Sequence, residues 1–161
     1  MAGIDIKNLD EKYHFDSSRR QALEFNHTEI SCLSSVITTN PDSNYEIVDA
    51  RGAPRFKGEV AEPRQGVRSG NIPGSKNLPF NKILNQDYTY KDAEGIIQEF
   101  TNAGIDVNKE IVGTCGSGVT ASVLQLGLET AGVGSGLRRV YDGSWSEYGF
   151  KEPLSKEFVD S

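Results

Sequence analysis

Cysteine and histidine are scarce in this chain. Its 161 residues include two cysteines, Cys32 and Cys115, and two histidines, His14 and His27. Two thiols cannot build a disulfide framework, and these spacings do not supply the four ligands of a structural metal cluster. We therefore expect no metal and no other cofactor. The low cysteine content also favours a reducing compartment, either cytoplasmic or mitochondrial.

Long apolar runs and excess positive charge are also absent. No stretch approaches the roughly 20 apolar residues that cross a bilayer, and the first 15 residues, "MAGIDIKNLDEKYHF", contain no apolar signal core. We expect a soluble protein with no membrane partner. There are 17 Lys and Arg residues against 23 Asp and Glu, a net charge of -6, with no basic stripe. This balance argues against a nucleic-acid partner, and an anionic ligand would need a local cluster of positive charge.

Strand-like and helix-like patterns alternate along the chain. The strand-like runs are 45–50, 109–114 and "GLRRVYDG", and the helical patterns are 28–40, 91–104 and 119–131. This alternation predicts an α/β fold with a mostly parallel central sheet flanked by helices.

The domain organisation follows from the segments that lack these patterns. Residues 1–28 are polar and irregular, and they are interpreted as a leader or interdomain linker segment ahead of one domain at 29–161. Thr28 is the predicted N-cap of the first helix. Residues 51–79 are rich in glycine and proline and predict a long loop, which in a compact domain is usually functional.

Cys115 lies where a predicted strand turns into a predicted helix, in "IVGTCGSGVTASV" at 111–123. The carboxyl end of a parallel sheet is where α/β folds bind ligands. Gly116 and Gly118 allow the loop to turn its backbone N–H groups inward, next to the positive end of the helix dipole. A thiol in that field ionises more readily, and the thiolate is the nucleophile. The alternative interpretation is a small buried cysteine at a tight turn.

Four motifs, in order along the chain, carry a resemblance to a known family. They are "VDAR" at 48–51, "RSGNIPGSKNLPF" at 68–80, "CGSGVTA" at 115–121 and "VYDGSWSEYG" at 140–149. The chain resembles the rhodanese superfamily, and more narrowly the C-terminal catalytic domain of a 3-mercaptopyruvate or thiosulfate sulfurtransferase. The resemblance implies a rhodanese-like fold. It also implies an N-terminal rhodanese-like domain in the full-length protein, because sulfurtransferases of this type have two such halves.

The resemblance further implies a two-step sulfur transfer with no cofactor. The Cys115 thiolate would take a sulfur atom from a small anionic donor and become a persulfide. It would then pass that sulfur to cyanide or to a thiol acceptor such as thioredoxin or glutathione.

Individual site residues follow from the same motif matches. Arg55 and Arg64 match the arginines that hold the donor's carboxylate and keto group, and Ser117 matches a serine that relays a proton to the departing enolate. Without that context, the arginines would be solvated surface residues and Ser117 an ordinary loop residue. The loop residues implied to bind substrate are Gly116, Gly118, Val119 and Thr120. Asp49 and Arg51 are interpreted as structural.

The neutral side chains after the nucleophile indicate the donor. Enzymes of the family that prefer thiosulfate, a compact dianion, typically carry basic residues at the positions of Gly116 and Ser117. We therefore expect 3-mercaptopyruvate to be favoured over thiosulfate. Two alternatives stay open: a non-catalytic sulfur-carrier or binding module, and a relative of the cysteine phosphatases. The phosphatase alternative is disfavoured because Ala121 stands where that loop needs an arginine.

Overall fold

A five-stranded parallel sheet forms the centre of the molecule. The structure is a computed structural model, and it describes residues 24–40, 42–133 and 139–150. The strands are β1 (Glu24–Phe25), β2 (Tyr45–Asp49), β3 (Lys76–Asn77), β4 (Glu110–Thr114) and β5 (Arg139–Tyr141). They lie in the order β1-β5-β4-β2-β3, and every pair is parallel. The predicted α/β fold with a mostly parallel sheet is confirmed.

Helices cover both faces of this sheet. The α-helices are α1 (His27–Thr39), α2 (Ala53–Phe56), α3 (Ala93–Asn102), α4 (Val119–Thr130) and α5 (Ser144–Tyr148), and a 3₁₀ turn spans Phe80–Ile83. Successive strand residues belong to two separate buried clusters. Val48 and Ile111 lie in one cluster and Ile47 and Val112 in the other. A strand buried on both faces explains why the apolar runs at β2 and β4 are continuous rather than alternating.

The start of the first helix differs from the sequence prediction. Asn26, not Thr28, is the N-cap of α1, because its side chain accepts a hydrogen bond from the Glu29 N–H while the Glu29 carboxylate accepts one from the Asn26 N–H. β1 pairs with β5 just ahead of this cap. Residues 24–28 are therefore part of the folded unit, where the sequence indicated a leader. The rest of that leader, residues 1–23, lies outside the described residues.

The predicted long loop at 51–79 is mostly irregular, with α2 and β3 inside it. Arg51 holds it to the sheet. The guanidinium donates to both carboxylate oxygens of Asp49, to Glu62 Oε1 at 2.9 Å and to the Gly70 carbonyl at 2.8 Å. Arg51 and Asp49 are both buried. Their interpretation as structural residues agrees with these contacts, which tie the end of β2 to two points of the loop.

The other helices and strands lie close to their predicted positions. α3 and β4 start and end within two residues of the expected bounds, and α4 ends one residue earlier than predicted. The last strand is β5, and residues 136–138 of its predicted region lie outside the described residues. Within the described ranges, no helix combines the length and apolar character that crossing a bilayer requires.

We predict that Arg51→Met lowers the free energy of unfolding by about 3–5 kcal/mol, because the buried Asp49 carboxylate would lose its ion-pair partner and Glu62 one of its two. Urea unfolding followed by circular dichroism measures it. Lys57→Met is the matched control: the Lys57–Glu59 pair is long, at 3.9 Å, and both side chains are more than half exposed. Such a pair contributes about 0–1 kcal/mol. Equal losses for the two variants would contradict the structural role of Arg51.

Candidate active site

Cys115 occupies the short connection between β4 and α4. The strand ends at Thr114 and the helix begins at Val119, so the nucleophile candidate sits at the carboxyl edge of the sheet, as predicted. The connection closes through Gly118, whose φ of +83° favours glycine. A Cβ there would lie 2.7 Å from Asp142 Oδ1. The loop can therefore approach the turn after β5 only with glycine at this position.

The turn after β5 holds the loop from inside the molecule. The buried Ser144 hydroxyl oxygen accepts hydrogen bonds from the Cys115 N–H (3.1 Å) and the Gly118 N–H (2.9 Å). The same hydroxyl donates to the Tyr141 carbonyl at 2.8 Å. Ser144 has a φ of +51°, a conformation that a serine keeps only when its surroundings impose it.

Two further backbone hydrogen bonds join the same pieces. The Trp145 N–H donates to the Cys115 carbonyl and the Ser146 N–H to the Gly116 carbonyl, each at 3.0 Å. Sequence reasoning missed Ser144. The only signal was its place inside the "DGSW" motif, and nothing local to that motif indicates a contact 29 residues back along the chain.

The environment of Cys115 favours its thiolate. Burial raises the pKa of the thiol, but hydrogen bonds from the Thr120 hydroxyl and from the backbone N–H groups of Ser117, Ala121 and Thr120 outweigh it, so that the pKa lies below its ordinary value. The positive end of α4 and the curled loop thus act together, as the glycine pattern predicted. The arrangement can hold a sulfur anion in a largely dry site.

The loop residues predicted to bind substrate take different positions. The Thr120 hydroxyl is placed so that it lowers the pKa of the Cys115 thiol. Gly116 lines a pocket beside the loop. The Gly118 N–H is already bonded to Ser144, so it does not face a ligand. Val119 is 72% exposed.

The pocket beside the loop has a volume of about 150 Å³. It brings together the two predicted arginines and Ser117, although these come from segments far apart in sequence. Its lining residues are Arg55, Glu62, Pro63, Arg64, Val67, Gly116, Ser117 and Ser146. Ser117 is exposed, and its hydroxyl makes no hydrogen bond to another described residue. A small anionic molecule in this pocket would lie next to the nucleophile loop.

The two arginines differ in how they are held. Arg55 donates through Nε to Glu62 Oε1 (3.2 Å) and through Nη2 to Glu62 Oε2 (2.5 Å). These hydrogen bonds raise the pKa of Arg55. Arg64 is exposed and makes no ion pair with any described residue. Glu62, which sequence reasoning did not single out, has a side chain only 3% exposed.

Two further expectations concern the second cysteine and metal binding. Cys32 is exposed on α1 and does not line the pocket. Among the residues that the structure describes, no group of three or more His, Cys, Asp or Glu side chains is arranged to hold a metal ion.

We predict that Thr120→Val raises the pKa of Cys115, because valine keeps the shape of threonine but removes the hydroxyl donor to the thiolate. The pH midpoint of iodoacetamide alkylation, measured in a Cys32→Ser background, reports it. Thr130→Val, at the far end of α4, removes a hydroxyl that bonds only the Leu126 carbonyl and serves as control. A midpoint shifted equally in both variants would refute the assignment.

Comparisons with known proteins agree with this geometry. Residues 35–151 match the rhodanese-like domain family. The chain is 40% identical over 129 residues to thiosulfate/3-mercaptopyruvate sulfurtransferase 1, mitochondrial, of Arabidopsis thaliana, covering 80% of this chain and 34% of that protein. It is 37% identical over 135 residues to 3-mercaptopyruvate sulfurtransferase of Escherichia coli K12, covering 84% and 47%.

A solved structure has a similar fold as well as a similar sequence. The crystal structure of Tum1 protein from Saccharomyces cerevisiae superposes with a TM-score of 0.68 at 30% identity, covering 80% of this chain and 44% of that one. The chain thus spans between a third and a half of the length of these relatives. Since the family match covers most of the sequence and the sheet, loop and motifs agree with it, the chain belongs to the rhodanese-like domain family.

Proposed function

We propose that this domain is a sulfurtransferase that carries a sulfur atom as a persulfide on Cys115. The observation that carries the proposal is the thiol with a lowered pKa, held by the Thr120 hydroxyl and backbone N–H groups beside a pocket lined by Arg55 and Arg64. The curated relatives named above are 3-mercaptopyruvate or thiosulfate/3-mercaptopyruvate sulfurtransferases, which supports the same chemistry.

The first step transfers sulfur from donor to enzyme. The Cys115 thiolate attacks the thiol sulfur of 3-mercaptopyruvate and forms an S–S bond. The donor's C–S bond breaks, and its electron pair leaves with the carbon as the enolate of pyruvate, which takes a proton to give pyruvate. Ser117 lines the pocket with a hydroxyl that no described residue engages, which fits it to pass that proton. The backbone N–H groups that hold the thiolate also suit the persulfide anion.

The second step returns the enzyme to its starting state. A thiolate acceptor, or cyanide, attacks the outer sulfur of the persulfide. The S–S bond breaks, and its electrons return to Cys115 as a thiolate. Thioredoxin and glutathione are the proposed thiol acceptors, as the family resemblance implies.

The donor pocket favours 3-mercaptopyruvate over thiosulfate. The single carboxylate of 3-mercaptopyruvate is remote from the reacting sulfur. The planar guanidinium of Arg64, which makes no ion pair with a described residue, can bind it with two parallel hydrogen bonds. The residues after the nucleophile, Gly116 and Ser117, are neutral. A Cβ at Gly116 would lie 3.1 Å from Arg55 Nη2, so Arg55 packs directly over the loop backbone.

The setting of the domain is part of the proposal. Because the chain spans only part of its relatives' length, we propose an N-terminal rhodanese-like domain as its partner in the full-length protein. The proposed compartment is cytoplasmic or mitochondrial, and the name of the Arabidopsis thaliana relative includes the second of these.

The two alternative functions, a cysteine phosphatase and a sulfur-carrier module, can each be distinguished from a sulfurtransferase. A phosphatase loop would need an arginine where Ala121 stands, and Ala121 is fully buried in the core. A sulfur-carrier module would accept sulfur without turning over, so a turnover assay distinguishes it from an enzyme.

We predict that the protein gains the mass of one sulfur atom after incubation with 3-mercaptopyruvate, and that Cys115→Ser abolishes the gain because only Cys115 lies in the loop that holds a sulfur anion. Intact-mass spectrometry under non-reducing conditions measures it. Cys32→Ser is the control and retains the gain. Sulfur found on Cys32 alone would overturn the assignment of the nucleophile.

We predict that Arg64→Lys raises KM for 3-mercaptopyruvate by about ten- to a hundred-fold, since losing the guanidinium fork removes about 1.5–3 kcal/mol of charged hydrogen bonding. Arg68→Lys is the control, because Arg68 stacks on Trp145 and Tyr148 and does not line the pocket. Steady-state kinetics with cyanide as acceptor measure both. An unchanged KM in Arg64→Lys would indicate that Arg64 is a solvated surface residue that does not bind the donor.

A further inference from the structure

Glu62 is a buried carboxylate in the pocket wall for which the proposed sulfur transfer has no use. Its side chain is 3% exposed, yet it lines the pocket beside the nucleophile loop. Both oxygens are engaged: Arg51 binds Oε1 at 2.9 Å, and Arg55 binds Oε1 and Oε2 at 3.2 and 2.5 Å. Because Arg51 is itself buried and held by Asp49, Glu62 cannot turn out into solvent without breaking this network.

The charges of this network cancel. Asp49 and Glu62 carry one negative charge each, and Arg51 and Arg55 carry one positive charge each. Arg55, placed by the family resemblance against the donor's carboxylate, is thus already neutralised by a carboxylate of the protein itself. The remaining cation among the pocket-lining residues is Arg64. The pocket therefore compensates one negative charge, not two.

We propose that Glu62 is a specificity-determining residue that limits the pocket to donors carrying one negative charge. The inference rests on the proposed sulfurtransferase function and adds to it the residue that enforces the donor's charge. A monoanion places its carboxylate on Arg64 and meets no opposing charge. A dianion such as thiosulfate brings a second negative charge, and the pocket has no unpaired cation for it because Glu62 already pairs with Arg55. That uncompensated charge disfavours the wrong ligand, as selective sites commonly do.

The variant that tests this is Glu62→Gln, which keeps the size of the side chain and a carbonyl oxygen to accept from the arginines while removing the charge. We expect the ratio of kcat/KM for thiosulfate to that for 3-mercaptopyruvate to rise about ten-fold, mainly through a lower KM for thiosulfate. Glu59→Gln is the matched control: it removes a negative charge from the same loop, at an exposed side chain paired only loosely with Lys57. Its ratio should equal that of the wild type.

If Glu62 had a purely structural role, its substitution would change the use of the two donors equally. Loosening the loop would impair both donors together and leave their ratio unchanged in Glu62→Gln, and that outcome overturns the proposal. Glu62→Asp retains the charge, so we expect it to keep the wild-type ratio even where its overall rate falls. A ratio in Glu62→Asp that rises as far as in Glu62→Gln also overturns it.

A binding measurement separates failure of this inference from failure of the proposed function, because it needs no turnover. In a Cys32→Ser background, protection of Cys115 from iodoacetamide is titrated with pyruvate, a monoanion, and with sulfate, a dianion. We expect pyruvate to protect the otherwise wild-type protein at lower concentration than sulfate, and Glu62→Gln to narrow that gap. Stronger protection by sulfate in the protein with Glu62 intact overturns the inference, and this arm stands even if Glu62→Gln fails to fold.

Discussion

The buried guanidinium of Arg51 sets the position of the pocket wall relative to the loop that carries Cys115. Buried charges are stable only when they are paired, and Arg51 pairs Asp49 at the end of β2 with Glu62 in the following loop. Glu62 in turn positions Arg55. Asp49 lies in register with Thr114, the residue before the nucleophile. The distance from the pocket wall to the reacting sulfur therefore depends on one strand pairing and one chain of ion pairs.

The site combines two kinds of electrostatic interaction: hydrogen bonds from neutral groups and the pairing of formal charges. Neutral dipoles, the N–H groups of the loop and the Thr120 hydroxyl, hold the sulfur anion without adding net charge. Formal charges line the pocket, where Glu62 cancels that of Arg55 and Arg64 is the remaining cation among the lining residues. A protein with a net charge of -6 can thus receive a small anion without a basic surface.

The sequence predicted those parts of the structure whose signals are local. Strand-like runs indicated β2 and β4, and the glycines after Cys115 indicated the loop that holds its sulfur. β1 was not predicted because a strand of two residues has no sequence pattern of its own and is defined only by its pairing with β5. The roles of Glu62 and Ser144 were not predicted for a similar reason. Their partners, Arg51 and Cys115, lie 11 and 29 residues away in sequence.

The contact between Ser144 and the loop also bears on the order in which the chain becomes reactive. During synthesis, Cys115 is made before the turn that contains Ser144, so a nascent chain exposes a cysteine whose loop has no acceptor for the Cys115 and Gly118 N–H groups. Contacts between residues far apart in sequence slow folding, because the chain between them must first be ordered. A chain cut short before the end of β5 would carry the same thiol without the support that shapes its loop. The loop around Cys115 therefore takes its final shape only when the turn after β5 has packed against it.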